Sequence, residues 1–284
     1  MTLTVDGVLE EATELTSLPG VYQRVMAVIN HPRASLGDVA QALSSDAGIS
    51  AKILRIANSA MFGFPGKIDD IGRAVTMIGT QQVHDLLLAT AVTDMFAGVD
   101  HKLVNMDGFW RHSIGVAITA RALAARRKEN NVERFFLAGV MHDAGRLLLL
   151  QCAAEAYAPA IQMARDKRLV LRDVEEQMFG FDHATMGGAL LKSWHLPAAL
   201  EQAVEYHHFP RLASRYERDA ALLHVAEISA HALELGHSGC AFVPPLDPAG
   251  WDATELSTGD LAPAVNQVDQ QYGTALKLFL AGAG

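Results

Sequence analysis

Helix-start signals recur along this chain while hairpin signals are missing, and that asymmetry is the strongest limit on what it can fold into. No Asn-Gly or Asp-Gly turn lies between segments of alternating polarity, so paired strands have no local nucleus. Ser35 is followed three residues later by Asp38, the pattern of a capping box, which predicts a helix through Leu43. Asp46 is placed to cap the next helix, where Ile49, Ile53, Ile56, Ala57 and Ala60 keep to one face. Asp182 opens a further helix running through Ala189 and Leu191, and Pro197 suits the first position of one through Tyr206. The expected fold is all-α, a two-lobed helical bundle. One lobe covers residues 18–100 and the second residues 105–236, with the polar stretch Asp100–Met106 between them. The Pro/Gly-rich stretch Cys240–Gly250 is expected to break helicity. Residues 237–284 are read as a linker followed by an amphipathic helix from Val265 to Phe279.

Composition narrows the function. The chain has 284 residues, half of them hydrophobic, enough to bury a core without covalent staples. Its two cysteines, Cys152 and Cys240, show no ligand spacing and favour a reducing compartment; Cys152, in an apolar context, reads as a packing thiol. The acidic start MTLTVDGVLEEATEL has neither the basic nor the apolar region of a signal peptide, and runs such as Leu147 to Leu150 are far too short to span a membrane. A cytoplasmic, membrane-free protein is expected. A net charge of −9 disfavours direct nucleic-acid binding yet leaves room for a small phosphorylated ligand in a locally basic pocket.

The chemistry is concentrated in the histidines, of which there are 12. Trp110-Arg111-His112, Met141-His142-Asp143-Ala144-Gly145, Asp182-His183, Tyr206-His207-His208 and Ala226-Glu227 each bring imidazole or carboxylate from a separate expected helix. Such a mixed set suits a divalent transition metal. In the adjacent His-Asp pair the carboxylate can bridge two cations, which would clamp the oxygens of a phosphoryl transfer. Each piece also has a plainer reading. Asp182 reads as a helix cap. His31, His84, His101, His195, His224, His231 and His237 read as ordinary core or surface histidines. Arg146 shares a helical face with Asp143 and could meet a phosphate, but a salt bridge or solvated side chain explains it as well, and Arg111 likewise. Gly187 can let a neighbouring helix approach, or simply pack.

Taken together, these segments resemble the HDOD family. Leu18-Pro19, LSSDAGISAKILRIANSAMFG (Leu43 to Gly63) and IDDIGRAVTMIG (Ile68 to Gly79) carry the likeness in the first lobe. FWRHS, FLAGVMHDAGRLLL, FGFDHATMGGALLKSWHLP and YHHFP carry it in the second, so that it covers roughly residues 15 to 236. The resemblance implies an HD-domain-like C-terminal lobe related to the HD-GYP hydrolases. By that likeness His112, His142, Asp143 and Glu227 would hold one metal, and Asp143 would bridge to a second held by His183, His207 and His208. One or two divalent ions are implied, iron or manganese first, with zinc, nickel or magnesium as alternatives. Three departures bear on activity: Glu227 stands where aspartate is usual, Arg146 replaces a lysine, and Phe209-Pro210-Arg211 follows His208 in place of a GYP tract. Cyclic-dinucleotide hydrolysis is therefore disfavoured. The function implied is a non-catalytic signal-transduction module working through a signalling protein partner. The alternative is a metal-dependent phosphohydrolase of nucleotides or other phosphoesters, with Asp143 between the metals and Arg146 or Lys192 neutralising phosphate.

Overall fold

The computed structural model describes residues 3–12, 20–96, 102–239 and 242–280, and among these every regular element is helical. The first helices are α1 (Val5–Ala12), α2 (Gly20–Ile29), α3 (Leu36–Ser44), α4 (Ala47–Ala57), α5 (Ile71–Ile78) and α6 (Thr80–Met95). Then come α7 (Met106–Arg126), α8 (Glu133–Met141), α9 (Ala144–Cys152), α10 (Ala154–Lys167) and α11 (Leu171–Phe179). Last are α12 (His183–Ser193), α13 (Ala198–Glu205), a 3₁₀ segment (Pro210–Tyr216), α14 (Glu217–Ala232), α15 (Pro248–Ala253) and α16 (Thr258–Phe279). Leu18-Pro19, His101, Cys240 and the Asp100 end of the expected junction lie outside the described residues.

The caps read from the sequence form as expected. Ser35 and Asp38 make both halves of the capping box, and Asp46 and Asp182 accept from the backbone amides of Ile49 and Thr185. Three details differ. Pro197 sits at the N-cap of α13 rather than inside it, with extended ψ, because its ring fixes the φ that leads into the first turn. The stretch Cys240–Gly250 is not uniformly helix-breaking: Asp247 caps Ala249 and Pro248 opens the short α15. The last helix starts at Thr258 rather than Val265, because Ser257 and Asp260 form a second capping box and the helix continues through Pro263.

Two helices, α7 and α14, are buried almost all round. That suits α7, whose run of small residues (Gly115, Ala117, Ala120, Ala122, Ala124) lets α8, α14 and α16 pack on its different sides. The same two central helices carry His112 and Glu227. Arg121 on α7 is also buried; it pairs with Glu133 at 2.8 Å and donates to the Met61 carbonyl at 3.0 Å and to Gln271 at 3.4 Å. It thereby ties α7 to α8, to the turn after α4 and to α16.

Close approach matters most where α9 meets α12. A Cβ on Gly145 would stand 2.1 Å from the His183 carbonyl oxygen and 2.6 Å from the Gly187 nitrogen. Gly187 is thus a contact glycine, and this contact brings the segment after His142-Asp143 against the start of α12, where His183 sits.

Candidate metal centre

His142 and Asp143 form the corner between α8 and α9, His183 opens α12, and His207-His208 follow α13. His112 projects from α7 and Glu227 from α14. All seven residues are buried, and the fold brings them together. His183 Nε2 lies 3.2 Å from Asp143 Oδ1 and 2.9 Å from His208 Nε2. Asp143 Oδ2 faces His142 Nε2 at 3.6 Å and Arg146 at 3.0 Å. Glu227 Oε2 is 3.4 Å from His208 Nδ1 and 3.8 Å from His207 Nε2. Ligand atoms of His183, His207 and His208 all fall within 4.8 Å of one another. The His112 ring centre is 5.5 Å from that of His142. Asp143 thus stands between the His142 side and the His183 side, each oxygen turned to one of them. Glu227, grouped by resemblance with His112 and His142, makes its contacts with His207 and His208, as its longer side chain allows.

The tautomers are set by acceptors behind the rings. His142 Nδ1 donates to the Gly139 carbonyl at 2.8 Å and His207 Nδ1 to the Val204 carbonyl at 2.7 Å. A carbonyl only accepts, so each Nδ1 carries a proton and each ring turns its Nε2 inward, free to serve as the ligand atom. Neither Nε2 has a hydrogen-bond partner, nor do His208 Nδ1 and both nitrogens of His112. Leaving such atoms buried and unpaired costs about 1–3 kcal/mol apiece, and a bound cation would remove that cost for one nitrogen of each ring. The donor set, imidazole with carboxylate, fits a divalent transition metal.

Charge follows the same layout. Burial alone would raise the Asp143 pKa, but His142 and Arg146 outweigh it and hold the carboxylate well below its usual range. Burial likewise opposes protonation of His183, yet Glu175 and Asp143 on either side of the ring keep its pKa well above normal. Burial pushes His112 down to about 3, aided by His142 and His231.

Four further residues belong to the site without having been read as part of it. Glu175 on α11 accepts from both Nδ1 and the backbone N–H of His183, at 2.6 and 2.9 Å, and from the Tyr157 hydroxyl. His231 stacks on His112 with ring centres 4.4 Å apart and lies one helical turn beyond Glu227, a spacing that could have flagged it. Arg172 lines the small cavity at the cluster, together with Arg146, His231 and Ser238. His224, expected to be an ordinary core histidine, accepts from the Asp247 N–H at 3.0 Å and so donates through Nδ1 to the His207 carbonyl at 2.8 Å, fixing the His207-His208 segment.

Other expectations divide. Arg146 forms the buried salt bridge with Asp143, while Arg111 is an exposed partner of Asp107. Lys192 is exposed on α12 and does not line the cavity. His31 and His195 are exposed. Cys152 is a half-buried free thiol.

Glu175 gives the first quantitative expectation. A carboxylate behind a ligating imidazole fixes its ring and raises its basicity, and losing such a partner typically weakens metal binding about 10–100-fold. Glu175→Gln keeps the shape and removes the charge, so divalent-metal affinity measured by competition with a chelator should fall within that range. Tyr157→Phe should change it far less.

An all-helical bundle with a buried histidine–carboxylate cluster of this kind places the protein in the HD-like class of α domains. The HDOD domain profile matches residues 15–210, and the chain belongs to the HDOD family. An HDOD protein of unknown function from Geobacter sulfurreducens shares the fold at TM-score 0.77 and 23% identity, covering 98% of this chain and 100% of that one. A Shewanella amazonensis protein bearing the provisional name phosphohydrolase aligns at TM-score 0.71 and 26% identity, covering 96% of this chain and 97% of that one. An uncharacterised Treponema pallidum protein is 21% identical over 212 residues; the match takes in 74% of this chain but only 41% of that longer relative. No described helix is long and apolar enough to cross a membrane.

Proposed function

We propose that this HDOD protein is a signalling module whose buried cluster holds a divalent metal, and that it works through contact with a partner protein rather than by turnover. The observation that carries this is the set of inward, unpartnered imidazole nitrogens around Asp143. His112, His142, Asp143, His183, His207, His208 and Glu227 would hold the ion or ions, with iron or manganese expected before zinc, nickel or magnesium. A bound cation would neutralise the carboxylates and lock five segments to one another: α7, the α8–α9 corner, the start of α12, the end of α13 and α14.

The space at the cluster favours this reading over catalysis. The cavity at the cluster measures about 30 Å³, whereas pockets that take drug-sized ligands run to several hundred Å³. Phe209 and Val243, each next in sequence to a residue that lines it, expose large apolar side chains. They sit on segments bordering the cavity, with Arg172 over the Phe209 ring at 4.8 Å, and suit a protein contact.

A phosphohydrolase reading has one observation in its favour. Arg146 Nε and Arg172 Nη1 are buried without partners on the cavity wall and would suit a phosphoryl oxygen. A metal held there, with Asp143 among its ligands, would supply an acidified water. Loading the protein with manganese or iron under reducing conditions and assaying p-nitrophenyl phosphate and nucleotides separates the two. Bound metal without turnover is the expected result; turnover abolished by Asp143→Ala would overturn the regulatory reading.

A further inference from the structure

A second cavity, about 260 Å³ and lined largely by apolar atoms, lies between α6, α8, α13 and the start of α14. None of the residues expected to hold metal lines it. Its polar wall is built. His84 and Asp85 are buried and paired at 3.0 Å, Gln81 joins them at 3.2 Å, and Asn131 donates to the other Asp85 oxygen at 2.7 Å. Arg134, also on the wall, donates to Asp219 at 3.0 Å and to Glu129 at 3.2 Å, yet its Nε–H is buried with no partner.

The placement of this cavity is what gives it consequence. Ala138 and Ala203 form part of its wall. The next residue after each, Gly139 and Val204, supplies the carbonyl that fixes the tautomer of His142 and His207 respectively. Any ligand that shifts α8 or α13 therefore acts on the backbone acceptors of two imidazoles at the candidate metal centre.

We propose that this cavity is a regulatory site for a small, uncharged, largely apolar molecule with a carboxamide-like head, and that its occupancy repositions His142 and His207. The chemistry follows from the wall. The unpartnered Arg134 Nε–H calls for an acceptor, and the Asp219 carboxylate beside it suits an N–H donor. Asp85 is engaged on both oxygens. Two carboxylates, Asp85 and Asp219, stand against the single guanidinium of Arg134, an excess of negative charge that disfavours an anionic ligand. The apolar remainder takes an aromatic or branched aliphatic body. The inference adds regulation to the function proposed above, but its test uses metal-free protein, so failure here and failure of metal binding are separate results.

Benzamide serves as the probe, benzoate as its anionic counterpart. Benzamide should bind metal-free protein in titration calorimetry or ligand-observed NMR at least tenfold more tightly than benzoate. Ala199→Phe, which fills the cavity from a half-buried position, should weaken it tenfold or more; Ala199→Leu, a milder filling, should do so if the larger side chain prevents folding. At saturation the imidazole signals of His142 and His207 should move while those of exposed His31 stay fixed. Absence of benzamide binding, equal binding by benzoate, or binding unchanged in both filled variants would overturn the site. Binding with His142 and His207 unmoved would overturn the coupling.

Discussion

Asp143→Ala should cost the metal-free protein about 3–5 kcal/mol of stability and leave it unable to retain a metal. The stability loss follows from what the carboxylate faces. Arg146 is buried and donates to Asp143 Oδ2 at 3.0 Å, and His183 Nε2 lies 3.2 Å from Oδ1. Removing the acid strands the guanidinium without its counter-charge, and breaking a buried pair in this way costs that amount. Urea denaturation of the metal-free variant measures it. Asp143→Ala combined with Arg146→Met should recover most of the stability, because no buried charge is left unpaired, yet should recover none of the metal binding. Recovery of both would mean that Asp143 serves only Arg146.

Gly145→Ala is the second large effect. One methyl group would stand 2.1 Å from the His183 carbonyl oxygen and 2.6 Å from the Gly187 nitrogen, both backbone atoms that cannot rotate away. The start of α9 must therefore separate from α12, at a cost of about 3 kcal/mol for overpacking a contact of this kind. The same separation draws Asp143 away from His183, so metal affinity should fall with stability. Gly273 is the control. It lies in α16 with open space where its Cβ would be, and Gly273→Ala should stabilise the protein by about 0.5–1 kcal/mol through helix propensity alone. Thermal unfolding of the two variants should shift in opposite directions.

What could be read from the chain was local. Caps such as Ser35-Asp38, Asp46 and Asp182 satisfy amides within three residues, so sequence carries their whole logic. The His-Asp pair and the double histidine stood out because unusual residues were adjacent. Glu175 did not, and the reason is physical. It follows Val174 and precedes Glu176 on one short helix, and both glutamates have the same side chain. One is fully buried against His183 and Tyr157 while the other is exposed. Only the packing of α11 against α10 and the first residue of α12 distinguishes them. Tyr157 was hidden for the same reason, since its partner Glu175 lies on another helix, and Arg172 reaches the cavity only through the fold, where it lies over Phe209. The missed start of α16 had a local signal, the Ser257-Asp260 box, which the continuing helix beyond Pro263 would have supported.

The account depends on the buried imidazoles having a cation to meet. The direct test is the metal content of untagged protein, purified under reducing conditions and measured by plasma mass spectrometry. One or two divalent ions per chain are expected, lost in His142→Ala and kept in His195→Ala, since His142 turns its Nε2 into the cluster and His195 is exposed. Wild-type protein that takes up no divalent metal, or equal loss from the two variants, would contradict it.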